Sequence, residues 1–353
     1  MAKRVMIAMS GGVDSSAAAL LLHRQGYDCA GAMLKLCGGE TAEGGCCLAS
    51  DAEDARSVAA RLGMDFYVFN ETERFRRDVM DVFVSEYRAG RTPNPCIDCN
   101  RRLKIGALLD RALTLGYDYI ATGHYARVSY ENGRFHLLRG KDARKDQSYV
   151  LYQLTQEQLS HLLLPVGEYD KPAIRALAAE AGLGNAEKPD SQDICFIPDG
   201  DYVNFLRGYG GVRMEEGDFV DKDGRVLGRH RGLAAYTTGQ RKGLGVSAPG
   251  RLYVISKDAS SNTVLLGDDA DLFASALLAA RLNWIEPEPD APLRVTAKTR
   301  YSQSEAAATV TPNADGTVRV DFDAPQRAVT AGQAVVFYDG ERVVGGGTIE
   351  TAL

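Results

Sequence analysis

Hydrophobic and polar positions follow two alternating patterns in the first part of the chain. Short apolar runs of strand length are separated by stretches whose apolar residues recur at helical spacing, and these runs cover residues 5–9, 29–36, 66–69 and 119–122. Strands that alternate with helices are typical of a parallel sheet covered on both faces. The pattern therefore predicts an α/β fold with a doubly wound parallel sheet.

The pattern changes beyond about residue 201. Strand-length runs and glycine turns dominate there, and long helical periods are few. We predict an N-terminal α/β domain over residues 1–200, a small β-rich central domain over 201–275, and a C-terminal antiparallel β-barrel over 276–353.

Three local signals sharpen this outline. Asn132-Gly133 lies between two strand-like runs and predicts a hairpin. Asp170 stands directly before a Lys-Pro pair and predicts a capped helix start. Pro93 and Pro95 lie within three residues of each other, so we predict an extended loop rather than a helix over 91–100.

Composition places the chain among soluble globular proteins. Of its 353 residues, 45% are hydrophobic and 25% are charged. No apolar run near the N-terminus is long enough to span a membrane, and no signal-peptide layout is present, so we expect a cytoplasmic protein without a membrane partner. The seven cysteines are an odd number, which argues against a disulfide framework. All of them lie in the first 195 residues, so any thiol chemistry belongs to the N-terminal part.

Charge leaves the question of a nucleic-acid partner open. A net charge of −6 argues mildly against one, because phosphate binding needs positive surface. However, residues 225–242 carry five Arg or Lys and no acid, and residues 88–104 carry five against Asp98 alone. Each cluster is either a solvated face or a surface that binds phosphates.

The stretch Ser10–Ser16 follows the first predicted strand and opens a helix. Its two glycines allow a tight turn, and the exposed N–H groups at a helix start attract an anion. The lysine of the common phosphate-binding loop is missing from it. The pattern S-G-G-x-D-S resembles the PP-loop of ATP pyrophosphatases, and the alternative is a strand-to-helix turn without a ligand. Gly123 and His124 end a later strand, so we expect them near the same crevice.

Two further thiol positions suggest chemistry. Cys96-x-x-Cys99 alone is typical of half a zinc site or of a redox pair, and no second C-x-x-C completes a zinc ribbon. Cys195 follows the polar loop Ser191–Asp193 and supplies a third thiol. A nucleotide loop, separated thiols and basic patches together suggest sulfur transfer to RNA.

Six blocks along the chain carry a more specific resemblance. They resemble motifs of the bacterial tRNA-specific 2-thiouridylase family, in the same order and over essentially the whole chain. The blocks are Ser10–Ser15, Pro93–Asn100, Thr122–Tyr125, Lys145–Tyr149, Asp193–Ile197 and Tyr236–Gly245.

The resemblance implies binding sites for ATP with Mg²⁺ and for tRNA. The nucleotide site it implies consists of Ala8, Met9, Ser10, Gly11, Gly12, Val13, Asp14, Ser15, Met33 and Gly123. The tRNA contacts it implies are Asn94, Pro95, Cys96, His124, Lys145, Asp146, Gln147, Arg300, Tyr301 and Gln333. The tRNAs would be the Lys, Glu and Gln acceptors, modified at uridine 34.

The resemblance also implies a reaction. Transfer of AMP to the C2 oxygen of the uridine makes that oxygen a good leaving group. Cys195 would carry sulfur as a persulfide, delivered by a sulfur-carrier or cysteine-desulfurase protein, and Cys99 would release the thiolated base by forming a transient disulfide with Cys195. Such chemistry needs thiolate character, so we expect Arg101 and Arg102 to lower a thiol pKa.

One position departs from the family pattern. Many members carry an acid/base Asp where this chain has Cys96, and a thiol serves as a base only if its pKa is lowered. Cys96, Cys99 and Cys195 could instead hold a [4Fe–4S] cluster with one open iron. We place the persulfide relay first. We predict that three further cysteines are structural or substrate-gating thiols: Cys37, Cys46 and Cys47.

Two other functions compete with thiolation. Another PP-loop synthetase that adenylates a small substrate and uses ammonia would not need Cys99, Cys195 or the basic β domains. A non-catalytic RNA-binding or iron–sulfur protein would not need an intact S-G-G-x-D-S loop.

Overall fold

The computed structural model describes residues 2–37, 49–189, 194–247 and 250–353. Cys46, Cys47 and the loop Ser191–Asp193 therefore lie outside the described residues. The chain forms two compact units. Unit 1 comprises Met1–Met80, Pro95–Gly200 and Glu341–Val344, and unit 2 comprises Asp81–Asn94, Asp201–Gly340 and Gly345–Leu353.

Unit 1 is built on a parallel sheet of five strands in the order β3-β2-β1-β4-β7. Every neighbouring pair in it is parallel, which confirms the predicted sheet. An antiparallel hairpin, β5 with β6, accompanies it. The strands are β1 (Arg4–Ala8), β2 (Asp28–Lys35), β3 (Asp65–Asn70), β4 (Tyr119–Ala121), β5 (Ala126–Glu131), β6 (Arg134–Arg139) and β7 (Leu162–Leu163).

The helices of the described residues are numbered α1 to α9, and α4 and α9 belong to unit 2. They are α1 (Val13–Arg24), α2 (Ala49–Arg61), α3 (Thr72–Phe75), α4 (Asp81–Arg88), α5 (Pro95–Cys99), α6 (Leu108–Thr114), α7 (Gln156–Ser160), α8 (Lys171–Glu180) and α9 (Tyr202–Gly208). Two π-helical stretches, Arg76–Met80 and Asn100–Ala107, and several single 3₁₀ turns connect them.

The core of unit 1 forms where α1 and α8 pack together over the sheet. The apolar run of α1, which includes Ala17 and Leu22, is buried beside Val5 and Ile7 of β1 and Ile174 of α8. Burial of these side chains fixes both helix starts against the sheet. The residues that begin α1 and α8 are therefore held on a rigid support.

The extended loop predicted over 91–100 is wrong from Pro95 onward. Residues 91–94 are irregular, but Pro95 is the first residue of α5. Proline is well accepted at the first helical position, because its missing N–H would have no intrahelical partner there. The helix then widens into the π-helical stretch Asn100–Ala107, where Gln158 donates from Nε2 to the Arg101 carbonyl at 3.0 Å.

Two other local predictions are confirmed. Asn132 and Gly133, with φ of 52° and 80°, form the tight turn between β5 and β6. Both angles are positive, as a type I′ hairpin requires. Asp170 caps α8 by accepting a hydrogen bond from the Ala173 amide at 2.8 Å.

Unit 2 contains the β-rich part of the chain, as predicted. A four-stranded sheet has the order β10-β11-β8-β9, and six further strands run β12-β15-β14-β13-β16-β17, with β12 also paired to β17 so that the barrel closes. The strands are β8 (Gly217–Val220), β9 (Val226–His230), β10 (Tyr253–Asp258), β11 (Thr263–Gly267), β12 (Phe273–Trp284), β13 (Leu293–Lys298), β14 (Ala306–Pro312), β15 (Val318–Arg327), β16 (Ala334–Asp339) and β17 (Arg342–Ala352).

A buried ion pair fastens α4 to the barrel within unit 2. The Glu86 carboxylate accepts two hydrogen bonds from Arg91, at 2.6 and 2.8 Å, and one from Arg281 of β12 at 2.9 Å. The segment after α4 is held as well, since Gln333 donates from Nε2 to the Thr92 carbonyl at 2.7 Å.

Over the described ranges, no helix is long and apolar enough to cross a membrane.

Candidate active site

The predicted nucleotide loop is closed by its own hydroxyl groups. Ser15 and Ser16 donate from Oγ to the Gly12 carbonyl at 3.0 and 3.1 Å, and the Ser10 amide donates to Ser15 Oγ at 3.3 Å. Gly12 caps α1 without a side-chain hydrogen bond. The first-turn N–H groups of α1 are therefore available to an anion, which is how helix starts bind phosphate.

Glycine is required at two close approaches around this loop. Gly11 has φ of +76°, and a β-carbon there would lie 2.4 Å from the Asp51 carbonyl oxygen. A β-carbon on Gly123 would lie 2.6 Å from the Ser15 amide nitrogen. The structure thus confirms that the end of β4 lies against the nucleotide loop.

The strand residues implied in the nucleotide site support the same loop. Ala8 ends β1, and the Met9 amide donates to the Ala32 carbonyl of β2 at 2.8 Å. Met33 lies one residue further along β2 and is buried. Val13 begins α1 and is buried as well.

Asn185 is a residue of this site that the sequence did not predict. This buried side chain donates from Nδ2 to the Gly11 carbonyl at 3.0 Å and to Ser16 Oγ at 2.8 Å. It reaches the loop from a turn that follows Gly182 in sequence. No pattern in the sequence marks it, because the contact depends on the tertiary fold alone.

The partners of Asp14 were not predicted from the sequence either. The Lys171 ammonium lies 2.7 Å from both carboxylate oxygens of Asp14. The Tyr125 hydroxyl donates to Asp14 Oδ1 at 2.7 Å. The carboxylate that the S-G-G-x-D-S pattern contributes is therefore neutralised by a cation from the first residue of α8.

Four cysteines of unit 1 lie close enough for their charges to interact. Cys99 ends α5 and is buried, whereas Cys96 reaches the surface and Cys195 is partly exposed. Burial, opposed by Lys104 and aided by nearby Cys195, Cys96 and Cys37, raises the pKa of the Cys99 thiol to about 12. We call Cys37, Cys96, Cys99 and Cys195 the thiol cluster, because the charges of the other three act on Cys99. At neutral pH, Cys99 is a thiol rather than a thiolate.

The expected role of Arg101 and Arg102 is not what the structure shows. The positive charge that lowers the pKa of Cys96 and Cys99 is that of Lys104. Arg102 instead lies 3.5 Å from Asp98. Lys104 lies in the π-helical stretch Asn100–Ala107, which begins directly after Cys99.

Cys96 has no lowered pKa that would suit a base. Although it reaches the surface, the protein packed around it raises the pKa of its thiol, and Cys195 raises it further while Lys104 lowers it. A thiol that keeps its proton at neutral pH is not ready to accept another.

His124 follows β4 and lies in the same electrostatic environment. Its Nδ1 is 2.8 Å from Thr122 Oγ1. Its side chain is only partly exposed, and the surrounding protein, together with Lys104, lowers the pKa of the imidazole to about 3. His124 is therefore neutral at physiological pH.

The polar cluster before the turn 148–151 makes structural hydrogen bonds in unit 1. Asp146 accepts from the amides of Gly140 and Ser148, at 3.0 and 3.1 Å, and from Ser148 Oγ at 2.8 Å. Gln147 accepts from the Tyr125 amide at 2.9 Å through Oε1. Lys145 is partly exposed beside them.

The implied tRNA residues of unit 2 differ in their exposure. Arg300 donates to the carbonyls of Thr238 and Ala328, each at 3.0 Å. These bonds fix the turn of the Tyr236–Gly245 block to the barrel. Tyr301, by contrast, is 43% exposed.

The basic stretch 225–242 is not uniformly positive. Arg225 and Arg229 form ion pairs with Asp223 and Asp218, at 2.6 and 2.9 Å. The remaining cations of the stretch have exposed side chains; they are Arg231, Arg241 and Lys242. In the other cluster Arg91 is paired with buried Glu86, so only part of each cluster presents positive surface.

The donor set does not fit an iron–sulfur cluster. Among the residues that the structure describes, no group of three or more His, Cys, Asp or Glu side chains is placed to hold a metal ion. A [4Fe–4S] cluster needs its thiolate ligands around one centre. We therefore derive no chemical step through such a cluster.

Three family models match consecutive parts of the chain. Residues 3–199 match the tRNA methyl transferase HUP domain, residues 203–268 the tRNA methyl transferase PRC-barrel domain, and residues 274–349 the aminomethyltransferase beta-barrel domain. They agree with the observed order of a parallel-sheet domain, a small β domain and a closed β-barrel.

Similar proteins cover the whole chain. A protein of Heliobacterium modesticaldum is 53% identical over 99% of this chain and 93% of its own length. One of Acetivibrio thermocellus is 50% identical over 99% of both chains. One of Clostridium acetobutylicum is 49% identical over 99% of this chain and 100% of its own. Each is named tRNA-specific 2-thiouridylase MnmA.

Proposed function

Because the chain belongs to the tRNA-specific 2-thiouridylase family, we propose that it is a sulfurtransferase that converts uridine 34 of tRNA to 2-thiouridine. ATP would be consumed in the reaction, with AMP and pyrophosphate as the other products. By analogy with the family, the substrates are the tRNAs for Lys, Glu and Gln.

One observation carries this proposal: the end of β4 joins the nucleotide loop to the thiol cluster. Gly123 lies against the Ser15 amide, and the next residue, His124, shares the electrostatic influence of Lys104 with Cys99. An activated base and a sulfur nucleophile must meet within one site. The adjacent positions of Gly123 and His124 after β4 support such a shared site in unit 1.

The first step we propose is adenylation. The N–H groups at the start of α1 would hold the phosphates of ATP, and the C2 oxygen of uridine would attack the α-phosphorus and release pyrophosphate. Mg²⁺ at nucleotide sites binds to phosphate oxygens of the substrate, and the Asp14 carboxylate of this loop is already paired with Lys171. The metal would offset phosphate charge.

The second step is sulfur transfer. The terminal sulfur of a Cys195 persulfide would attack C2, and AMP would leave with the C2 oxygen. The Cys99 thiolate would then attack the Cys195 sulfur, so that the S–S bond to the base breaks and a Cys99–Cys195 disulfide forms. A cellular thiol reductant would supply the two electrons that reduce this disulfide.

The raised pKa of Cys99 sets a requirement for that step. A thiol with a pKa of about 12 must lose its proton as it attacks. The proton would pass to solvent as the thiolate forms, and we propose that the positive charge of Lys104, which lowers the pKa of Cys99, favours that thiolate. Cys96, whose pKa is raised, is then a contact for the target base rather than the general base.

Two partners follow from this chemistry. The persulfide on Cys195 needs a sulfur-carrier or cysteine-desulfurase protein as its donor. The tRNA needs positive and aromatic surface, which Arg231, Arg241, Lys242 and Tyr301 of unit 2 offer. Lys145, Asn94, Pro95 and Gln333 remain proposed contacts from the family resemblance.

Nucleoside mass spectrometry tests the proposal. Unmodified tRNA is incubated with ATP, Mg²⁺, a persulfide donor and iron-free protein, and the digest is searched for 2-thiouridine. We expect 2-thiouridine from the wild type and its loss in Cys195→Ser and in Cys99→Ser. Cys29→Ser is the matched control, because this buried β2 thiol also has a raised pKa, of about 11, but lies outside the thiol cluster.

Three results would contradict parts of the proposal. Formation of 2-thiouridine only after anaerobic iron–sulfur reconstitution would replace the persulfide relay with cluster chemistry. Full activity in Cys99→Ser would remove the disulfide step. Adenylation of a small substrate with ammonia, without any dependence on tRNA, would favour the rival PP-loop synthetase.

A further inference from the structure

The nucleotide loop lacks a lysine of its own, yet the fold brings one to it. Lys171 lies 157 residues after Asp14 in sequence, and its Nζ is 2.7 Å from both carboxylate oxygens of Asp14. The Lys171 side chain is 9% exposed and that of Asp14 is 30% exposed. The pair is therefore shielded on the lysine side and open on the side of the carboxylate.

The backbone of Lys171 is held in place by two acids. The Lys171 amide donates to Asp142 Oδ2 at 3.2 Å. Asp170, the preceding residue, caps α8 through the Ala173 amide at 2.8 Å. Because α8 also packs on α1, the position of the ammonium relative to the nucleotide loop is fixed by the core of unit 1.

The position of Lys171 is electrostatically unfavourable without Asp14. A helix start carries partial positive charge, so a cation in the first turn of α8 is repelled by the helix dipole. Burial of the ammonium adds a desolvation cost. Tyr125 lessens this cost, since its ring lies 5.8 Å from Lys171 Nζ and its hydroxyl donates to Asp14 Oδ1 at 2.7 Å. The buried ammonium is therefore costly without Asp14, and its placement beside the nucleotide loop points to a function of the pair.

A triphosphate at the start of α1 would face the negative charge of Asp14. Like charges within a few ångströms repel strongly in a partly buried site. The Lys171 ammonium cancels the Asp14 charge and leaves the N–H groups of α1 to dominate the local field. We propose that Lys171 is the charge-compensating residue of the nucleotide site, which allows a loop with an acidic side chain to accept ATP. This inference rests on the proposed ATP site and names a positioning residue for it.

Nucleotide affinity measured by calorimetry tests the proposal, with Mg-ATP, ADP and AMP as probes. In Lys171→Met the exposed Asp14 charge is uncompensated, so we expect ATP binding to weaken by about tenfold or more, ADP binding less, and AMP binding least. Lys141→Met is the matched control, because Lys141 pairs with Glu168 at 2.6 Å on the surface of the same unit. We expect it to bind all three nucleotides as the wild type does.

A double variant separates charge compensation from a failure to fold. Asp14→Asn with Lys171→Met removes both charges, so no buried charge is left without a partner. We expect its ATP affinity to be closer to that of the wild type than Lys171→Met is, with unchanged far-ultraviolet circular dichroism. This restoration would not occur if Lys171 acted on the phosphates independently of Asp14.

Failure of the proposed ATP site and failure of the proposed Lys171 role would give different results. Wild-type protein that does not bind ATP would overturn the proposed ATP site itself. Wild-type binding with equally tight ATP binding in Lys171→Met would overturn only the role of Lys171. An equal loss for ATP, ADP and AMP, or a double variant as weak as Lys171→Met, would also overturn charge compensation.

Discussion

Gly123 lies against Ser15 so closely that a β-carbon at position 123 would stand 2.6 Å from the Ser15 amide nitrogen. The end of β4 and the start of α1 are therefore in backbone contact. Position 123 therefore has no room for a side chain, because the nucleotide loop lies directly against it.

The first prediction concerns this contact. Gly123→Ala should displace the start of α1, at a cost of about 1–3 kcal/mol for overpacking, and should weaken ATP binding by about tenfold or more. Gly184→Ala is the control, since a β-carbon there meets no atom within 4 Å. Calorimetric titration with Mg-ATP measures both. Equal affinities in the two variants would show that the loop tolerates the displacement.

The sequence predicts the fold class well because its apolar runs and its turn residues indicate the same elements. The apolar run of β1, the glycines of the loop and the buried run of α1 all indicate a strand-loop-helix unit, and the parallel sheet follows. The hairpin at Asn132-Gly133 is equally local, since two positive φ angles decide it. Such features need no knowledge of distant residues.

The sequence predicts the site less well because its charges come from distant segments. Lys171 and Asn185 reach the nucleotide loop from 157 and 174 residues away, and no spacing rule connects them to it. Lys104 was missed for another reason. Helical spacing of 3.6 residues would place residue 104 on a different face from residue 99, and no pattern in the sequence predicts the π-helical stretch that contains Lys104.

The second prediction uses the electrostatic effect of Lys104 on Cys99. Lys104 lowers the pKa of the Cys99 thiol, so Lys104→Met should raise that pKa further. The thiolate fraction at a given pH below the pKa should fall, and with it the rate of reaction with a small methanethiosulfonate reagent. For the wild type this rate should rise about tenfold for each pH unit between pH 7 and 10.

Arg101→Met is the matched control for Lys104, because it removes a neighbouring charge from the same helix. Reaction at Cys99 is followed by mass spectrometry of the peptide. A rate that is independent of pH, or equal losses in both variants, would mean that access to the buried thiol rather than its charge limits the reaction.

The third prediction concerns His124. Its folded pKa of about 3 lies below the usual 6.5, so the unfolded chain binds this proton more readily. The resulting stability is present above pH 6.5 and is lost as the pH falls toward 3. His124→Gln keeps a polar side chain but cannot titrate, so the free energy of unfolding should decline less between pH 7 and 5 than in the wild type.

Urea unfolding at both pH values measures this difference. The NMR signal of the His124 ring provides an independent check, because Lys104 lowers its pKa and Lys104→Met should therefore raise it. An imidazole that titrates near its usual pH in the wild type would contradict the lowered pKa of His124.

The last prediction concerns the buried ion pair of unit 2. Glu86 is 9% exposed on its side chain and is bound by Arg91 and Arg281. Burial raises the pKa of its carboxyl, but the hydrogen bonds from the two arginines outweigh that effect and hold the pKa below the usual 4.5. Glu86→Gln leaves both guanidinium groups without their anion, so unit 2 should lose about 2–4 kcal/mol of stability at neutral pH.

The single tryptophan makes this loss measurable. Trp284 lies in β12, with its ring 5.7 Å from that of Phe337, and so its fluorescence reports unfolding of the barrel. Asp323→Asn is the control, because its pair with Arg294 is exposed on both sides and should contribute little to stability.

Acid should narrow the stability gap between the wild type and Glu86→Gln. The carboxylate contributes stability above pH 4.5, and this stability is lost as the pH falls through its lowered folded pKa. A gap that stays constant down to pH 2 would show that packing, not charge, is what Glu86 contributes.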